Sequence, residues 1–208
     1  MTLSTNTHLI AATQTQRYTH LCRELTTSIK RGMRRHKVAG MSILLVDDSE
    51  IVWAQGFGYA DIRTKRHADV NTIYKAGSIT KVFTACAIMQ LFEAGKIDLD
   101  AAIQAYIPEL KIRYHQPTNK PITIRSIMSH TSGLPVDALH GMFSRHPEPF
   151  HKAIEYLNEM HAAYEPGTLS TYSNLGMDLL GVVIERSSGL SYAEYMRLHI
   201  LTPLNMHH

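Results

Sequence analysis

Hydrophobic positions recur at helical spacing in the first part of the chain. Tyr18, Leu21, Cys22, Leu25, Ile29 and Met33 follow a three-to-four step, which predicts a long first helix ending near Arg35. The pattern then changes. Residues 40–46 (Gly-Met-Ser-Ile-Leu-Leu-Val) read as a strand, Asp47-Asp48-Ser49-Glu50 as a turn, and residues 51–55, with Trp53, as the returning strand. Gly56-Phe57-Gly58 is expected to end the hairpin, and the polar stretch 61–70 to be a loop. Residues 82–93 follow as an almost unbroken hydrophobic run. Val82, Phe83, Cys86, Ile88, Met89, Leu91 and Phe92 leave no useful polar face, so this helix is expected to be buried all round, with Gly95 at its C-terminal end.

The second half predicts more helices. Asp98-Leu99-Asp100 opens a helical stretch with Ile103, Tyr106 and Ile107, closed by Pro108. Residues 114–121 and 141–149 read as loops. Thr123 caps a short helix containing Ile124, Ile127 and Met128, which breaks at His130-Thr131-Ser132-Gly133-Leu134-Pro135. A helix over 151–162, an apolar helix over 175–187 ended by Gly189, and a last helix capped by Ser191-x-x-Glu194 and running to about Leu201 complete the reading. A hairpin followed only by helices is an odd tally. Two strands do not form a stable sheet alone, so the hairpin must pack on helices or lack partner strands.

Composition narrows the class. At 208 residues, 44% hydrophobic and 19% charged, the chain should fold as a globule. The formal charge is +3, and the densest basic cluster (Lys30, Arg31, Arg34, Arg35, Lys37) lies where cations complement the end of the first helix; no aromatic interleaving suggests nucleic acid. Cys22 and Cys86 are expected to be reduced and buried. No stretch is long and apolar enough to span a membrane, and residues 1–16 lack the apolar core of a signal peptide. At face value this places the protein in the cytoplasm; a misplaced start would hide a signal and place it in the periplasm or cell envelope. His207-His208 is too short to read as a tag.

Several chemistries are set aside. The sequence has no Gly-x-Ser-x-Gly elbow, no His-Glu-x-x-His, no phosphate loop and only two of the three glycines of a dinucleotide fingerprint. The 13 histidines are scattered; His146, His151 and His161 come nearest to a cluster, but no Cys or paired carboxylate accompanies them, so no metal and no cofactor is expected. His130, Ser132 and Asp137 resemble a triad on paper. Three members in one turn rarely meet in the right geometry, and the expected role of His130 is to bond backbone.

Two patterns remain. Ser78 precedes the apolar helix and Lys81 lies one turn on, so the two side chains share a face as a nucleophile and its proton partner. A helix cap followed by a snorkelling lysine has the same spelling, so Ser-x-x-Lys alone decides nothing. Tyr172-Ser173-Asn174 follows a Pro-Gly turn and precedes a buried helix, a loop on rigid structure suited to reactive groups; the plainer reading makes Asn174 an N-cap.

Together, Ser78-x-x-Lys81, His130-Thr-Ser-Gly-Leu-Pro135 and Pro166-Gly-Thr168 followed by Tyr172-x-Asn174 resemble, in order and spacing, the class C β-lactamase-like serine hydrolases. That superfamily includes D-alanyl-D-alanine carboxypeptidases, penicillin-binding-protein-like enzymes and esterases. Gly56-Phe-Gly-Tyr-Ala-Asp61, Ile122-Thr-Ile-Arg125 and Leu179-Leu-Gly-Val-Val-Ile-Glu185 agree with it, and the likeness runs from about Val38 to Met206.

The resemblance implies an α+β, β-lactamase/transpeptidase-like fold. Residues 1–74 would be the N-terminal part of an antiparallel sheet lobe, incomplete here, and 75–208 a mostly helical lobe with the active-site helix. Ser78 would be the nucleophile and Lys81 its proton partner. Tyr172 would be the second acid/base, and Asn174 would bind the substrate. Lys81, lowered by burial, or a Tyr172 phenolate held by charged Lys81 could be the base, and one oxyanion donor would be the Ser78 N–H. The substrate would be a small ester, amide or β-lactam, with no nucleic-acid partner. The family's later Lys-Thr-Gly or His-x-Gly strand is not in this chain. Residues 1–208 are therefore expected to be the N-terminal portion of a longer protein, with an open sheet edge prone to association. A non-catalytic module of the same fold, or an inactive fragment, is the alternative.

Overall fold

The computed structural model describes residues 6–138 and 146–206, with side chains in the first helix from Tyr18 onward. The His207-His208 pair and most of the loop expected over 141–149 lie outside the described residues. The chain divides into two compact units, Met1–Lys75 and Ala76–His208.

The first unit is a helix and a small sheet. Helix α1 (Asn6–His36) ends in Arg34, Arg35 and His36, as the dipole argument expects. Strands β1 (Gly40–Asp47) and β2 (Glu50–Asp61) pair antiparallel, Gly40 opposite Gly58 and Asp47 opposite Glu50. The hairpin does not stop at Gly56-Phe57-Gly58. Strand β2 continues to Asp61, and a two-residue strand β3 (Arg66–His67) in the expected loop pairs with its far end. The order is β1-β2-β3. Helix α1 packs on β2, where Val52 and Phe57 are buried, while Leu44, Val46 and Ile51 point outward and are exposed. Val46 and Ile51 face each other across the pair, so these residues form one apolar patch.

The second unit is built around α5 (Asn174–Ser188). Leu175, Leu179, Leu180, Val182, Val183 and Ile184 are all buried, and α2 (Thr80–Glu93), α3 (Ile124–Met128), α4 (Lys152–Glu159) and α6 (Tyr192–Met196) pack against it. This is the apolar helix the sequence predicts. Gly181 brings the Phe150 ring close enough that a Cβ would stand 2.9 Å from it. Ser173, not Asn174, is the N-cap, its hydroxyl accepting from the Gly176 N–H at 2.9 Å. Helix α3 (Ile124–Met128) carries a reciprocal capping box between Thr123 and Ser126.

Helix α2 (Thr80–Glu93) departs from expectation. Thr84, Ala87, Ile88 and Leu91 are buried, but Val82 is 62% exposed and Met89 and Phe92 are exposed as well. One stripe packs on α5 and α6 and the opposite stripe is uncovered. Cys86 lies on that outer stripe, so it is free and exposed rather than buried; Cys22 is free and half-buried. The stretch after Asp98 is no helix beyond a 3₁₀ turn at Ile103–Ala105. Asp98 takes the Asp100 N–H at 2.9 Å, and the Ile103 N–H goes to the Ile122 carbonyl at 2.8 Å, so local side-chain and non-local backbone bonds take the helical donors.

Helix α4 (Lys152–Glu159) ends short of Ala162 because Met160 turns extended and the Ala162 N–H bonds Arg113 O. Helix α6 (Tyr192–Met196), capped by Ser191, widens into a π-helical turn at Arg197–Leu201. Among the described residues no helix is long and apolar enough to cross a membrane.

Candidate active site

The second unit brings together the four side chains singled out in the sequence. Ser78 lies in a 3₁₀ turn (Gly77–Ile79) that runs straight into α2, and Lys81 lies one turn later. The rest of the site comes from two segments laced together. The Thr171 N–H bonds His130 O at 2.7 Å, the Gly167 N–H bonds Thr131 O at 2.8 Å, the Ala163 N–H bonds Gly133 O at 2.8 Å, and the Asn174 N–H bonds Val136 O at 2.8 Å. The Ser173 hydroxyl, besides capping α5, donates to Pro135 O at 2.6 Å. Gly133 sits at φ +75°, and a Cβ there would meet Tyr164 O at 2.0 Å, so the lacing requires a glycine.

This frame presents Tyr172 and Asn174 to Ser78 and Lys81. The Tyr172 hydroxyl donates to Ser78 Oγ at 2.7 Å. Lys81 Nζ donates to Asn174 Oδ1 at 2.7 Å and reaches Ser78 Oγ at 3.4 Å. The same ammonium stands 4.8 Å from the centre of the Tyr172 ring. Lys81, then the hydrogen bond with Ser78, holds the Tyr172 phenol below its ordinary range, against a weaker opposing effect of burial. Ser78 and Tyr172 are exposed, Lys81 and Asn174 half-buried.

His130 and Asp137 reach the site without forming a triad. The His130 ring packs against Tyr172 at 4.6 Å, and its Nδ1 accepts the Ser173 N–H at 3.2 Å. Burial, followed by the charge of Lys81, pushes His130 down, which keeps that nitrogen an acceptor. Ser132 is only 1% exposed and its hydroxyl accepts the Leu134 N–H. Asp137 instead accepts from Asn174 Nδ2 at 2.9 Å.

Asp178, four residues after Asn174 on the same helix, is half-buried. Its carboxyl is pushed up to about 6 by burial first and by the charge of Asp137, with Lys81 pulling the other way. Sequence reasoning weighed Asp137 only as a member of a local triad and missed Asp178. The i, i+4 spacing from Asn174 could have found Asp178; nothing local tied Asp137 to Asn174. Among the described residues no three His, Cys, Asp or Glu side chains converge as metal ligands.

The arrangement puts a hydroxyl between a cation and a phenol of lowered proton affinity. Such a set can move a proton off Ser78 Oγ and return it elsewhere.

Comparisons with known proteins show what the chain is similar to. A family model described as Beta-lactamase matches residues 25–208. Protein flp of Staphylococcus aureus (strain MW2) is 32% identical over 190 residues, which cover 89% of this chain and 37% of that protein. Penicillin-binding protein 4* of Bacillus subtilis (strain 168) is 32% identical over 178 residues, 83% of this chain and 38% of its own length. Among solved structures, the octameric penicillin-binding protein homologue from Pyrococcus abyssi superposes with a TM-score of 0.80 at 35% identity, over 89% of this chain and 43% of that one. A beta-lactamase/D-alanine carboxypeptidase from Yersinia pestis gives 0.70 at 26% identity, over 81% and 48%. The chain spans less than half the length of each of these relatives.

Proposed function

The chain belongs to the beta-lactamase family, within the β-lactamase-like serine hydrolase superfamily, and on that premise we propose that the whole protein is a hydrolase working through an acyl-enzyme on Ser78. The observation that carries this reading is the 2.7 Å contact of Ser78 Oγ with Tyr172 Oη, with Lys81 Nζ beside both. Lys81 donates to Asn174 Oδ1 and holds the Tyr172 phenol below its ordinary range, which favours the Tyr172 phenolate as base over Lys81.

In the forward step Ser78 Oγ attacks a carbonyl carbon while its proton passes to Tyr172 Oη. The bond from that carbon to the leaving nitrogen or oxygen breaks, and Tyr172 returns the proton to the leaving group. Water then repeats the exchange, releasing the acid and restoring Ser78. The Ser78 N–H is one donor for the oxyanion, and Asn174 Nδ2 faces the substrate side chain only as far as its bond to Asp137 allows. Substrates are an ester, an amide or a β-lactam; the name of the Bacillus subtilis relative makes penicillin a reasonable first probe.

The test is covalent labelling of the whole protein with a fluorescent penicillin and a fluorophosphonate, with the modified residue mapped by mass spectrometry. Label on Ser78, abolished in Ser78→Ala, is the expected result. Label persisting on another serine in Ser78→Ala, or no label with either probe, overturns the reading.

A further inference from the structure

Asn174 is an amide held between two groups of opposite demand. A carboxylate can only accept hydrogen bonds and an ammonium can only donate them. Asp137 Oδ2 stands 2.9 Å from one end of the amide, and Lys81 Nζ stands 2.7 Å from the other. The nitrogen must therefore face Asp137 and the oxygen must face Lys81; a flipped amide would set donor against donor and acceptor against acceptor. Asp137 is itself fixed, since its other oxygen accepts the Ala138 N–H at 2.8 Å, and the neighbouring Val136 carbonyl takes the Asn174 backbone N–H.

From this chain we infer that Asp137 is a positioning residue for the reaction. It locks the orientation of the Asn174 amide, and through Asn174 Oδ1 it holds Lys81 Nζ between Ser78 and Tyr172. What it supplies is a hydrogen-bond acceptor in the right place, not a charge. Without that acceptor only Lys81 orients the amide, whose oxygen then leaves Lys81 for part of the time, and Lys81 drifts from Ser78 Oγ. Small displacements of a reacting group can cost as much as about a hundredfold in rate.

The inference rests on the hydrolase reading for its kinetic consequence, so its test has two arms. In the first, the rate of Ser78 labelling by fluorophosphonate is measured in the whole protein for Asp137→Ala, Asp137→Asn, Asn174→Ala and the double variant Asp137→Ala/Asn174→Ala. Asp137→Ala should slow labelling about tenfold to a hundredfold. Asp137→Asn keeps a carbonyl acceptor and should stay within about threefold of the parent. In the Asn174→Ala background, adding Asp137→Ala should change the rate by less than about twofold, because the effect of Asp137 on Lys81 runs through the Asn174 amide. A loss that recurs in that background marks Asp137 as merely structural and overturns the proposal, as does an Asp137→Ala rate equal to the parent's.

The second arm needs no activity. The side-chain amide protons of Asn174 are followed by hydrogen exchange in isotope-labelled protein. Exchange at least about tenfold faster in Asp137→Ala, and near the parent's rate in Asp137→Asn, supports the lock; unchanged exchange in Asp137→Ala overturns it. If the parent protein takes no label at all, the hydrolase reading falls and this arm alone decides the role of Asp137.

Discussion

Asp178 carries a charge that the fold opposes. Its carboxyl rises from its ordinary 3.8 to about 6, chiefly through burial and then through Asp137. The sign follows from linkage. The folded state holds the proton more tightly than the unfolded state, so stability falls as pH rises from about 4 to about 6 and stays lowered above that. Asp178→Asn removes the ionisation. Allowing for the partial exposure of the side chain, the variant should be about 1–2 kcal/mol more stable than the parent at pH 7. It should lose that advantage below about pH 4. Urea unfolding at a series of pH values checks this, and parallel curves for the two proteins from pH 4 to pH 7 would contradict it. Lys81 opposes the shift, so the same titration in Lys81→Met should show a larger gap.

At the scale of elements, the two laced segments behave as one piece. Gly133→Ala would force a left-handed alanine, costing about 1–2 kcal/mol, and drive its Cβ into the Tyr164 carbonyl. The expected destabilisation is about 3 kcal/mol, together with slower Ser78 labelling because Tyr172 and Asn174 shift with the frame. A loss below about 1 kcal/mol with labelling unchanged would mean that the segments are not coupled. What the sequence made legible at this scale is what local residues decide. The Thr123 cap, the apolar run of α5 and the β1–β2 hairpin are written in neighbouring positions, and the structure has them. The stretch after Asp98 was not legible, because the Ile103 donor goes to Ile122, nineteen positions away by their numbers. Nor does an apolar run say how many of its sides find a neighbour, which is why α2 reads as buried and Cys86 with it. Ser78, Lys81, Tyr172 and Asn174 could be picked out by motif, whereas Asp137 joins them only through the lacing and has no spelling of its own.

At the scale of the molecule, every side chain of the candidate site belongs to the unit Ala76–His208. Apolar surface remains open in both units: Leu44, Val46 and Ile51 on the sheet, and Val82, Met89 and Phe92 on α2. Burial of one such side chain is worth about 1.5–3 kcal/mol, and edge strand β1 offers unpaired backbone groups beside the patch. Residues 1–208 produced alone should therefore self-associate, seen as elution that depends on concentration in size-exclusion chromatography. Leu44→Lys with Ile51→Glu should reduce it. A sharp monomer peak at about 100 μM for the unaltered chain would contradict the expectation.

The contacts that complete the site also set a timetable. Tyr172 stands 94 positions beyond Ser78, and Asn174 stands 93 beyond Lys81. At a synthesis rate of about 5–20 residues per second, the helix bearing Ser78 emerges from the ribosome roughly 5–20 s before its partners exist. Asn174 meets Asp137 after only 37 positions, so the clasp around the amide can close as soon as its second half appears. During that wait α2 has no α5 to pack on, and both of its stripes face water. The nascent chain is thus most open to capture by chaperones, or to mispairing with a neighbour on the same messenger, in the interval between making its nucleophile and making the residues that hold it.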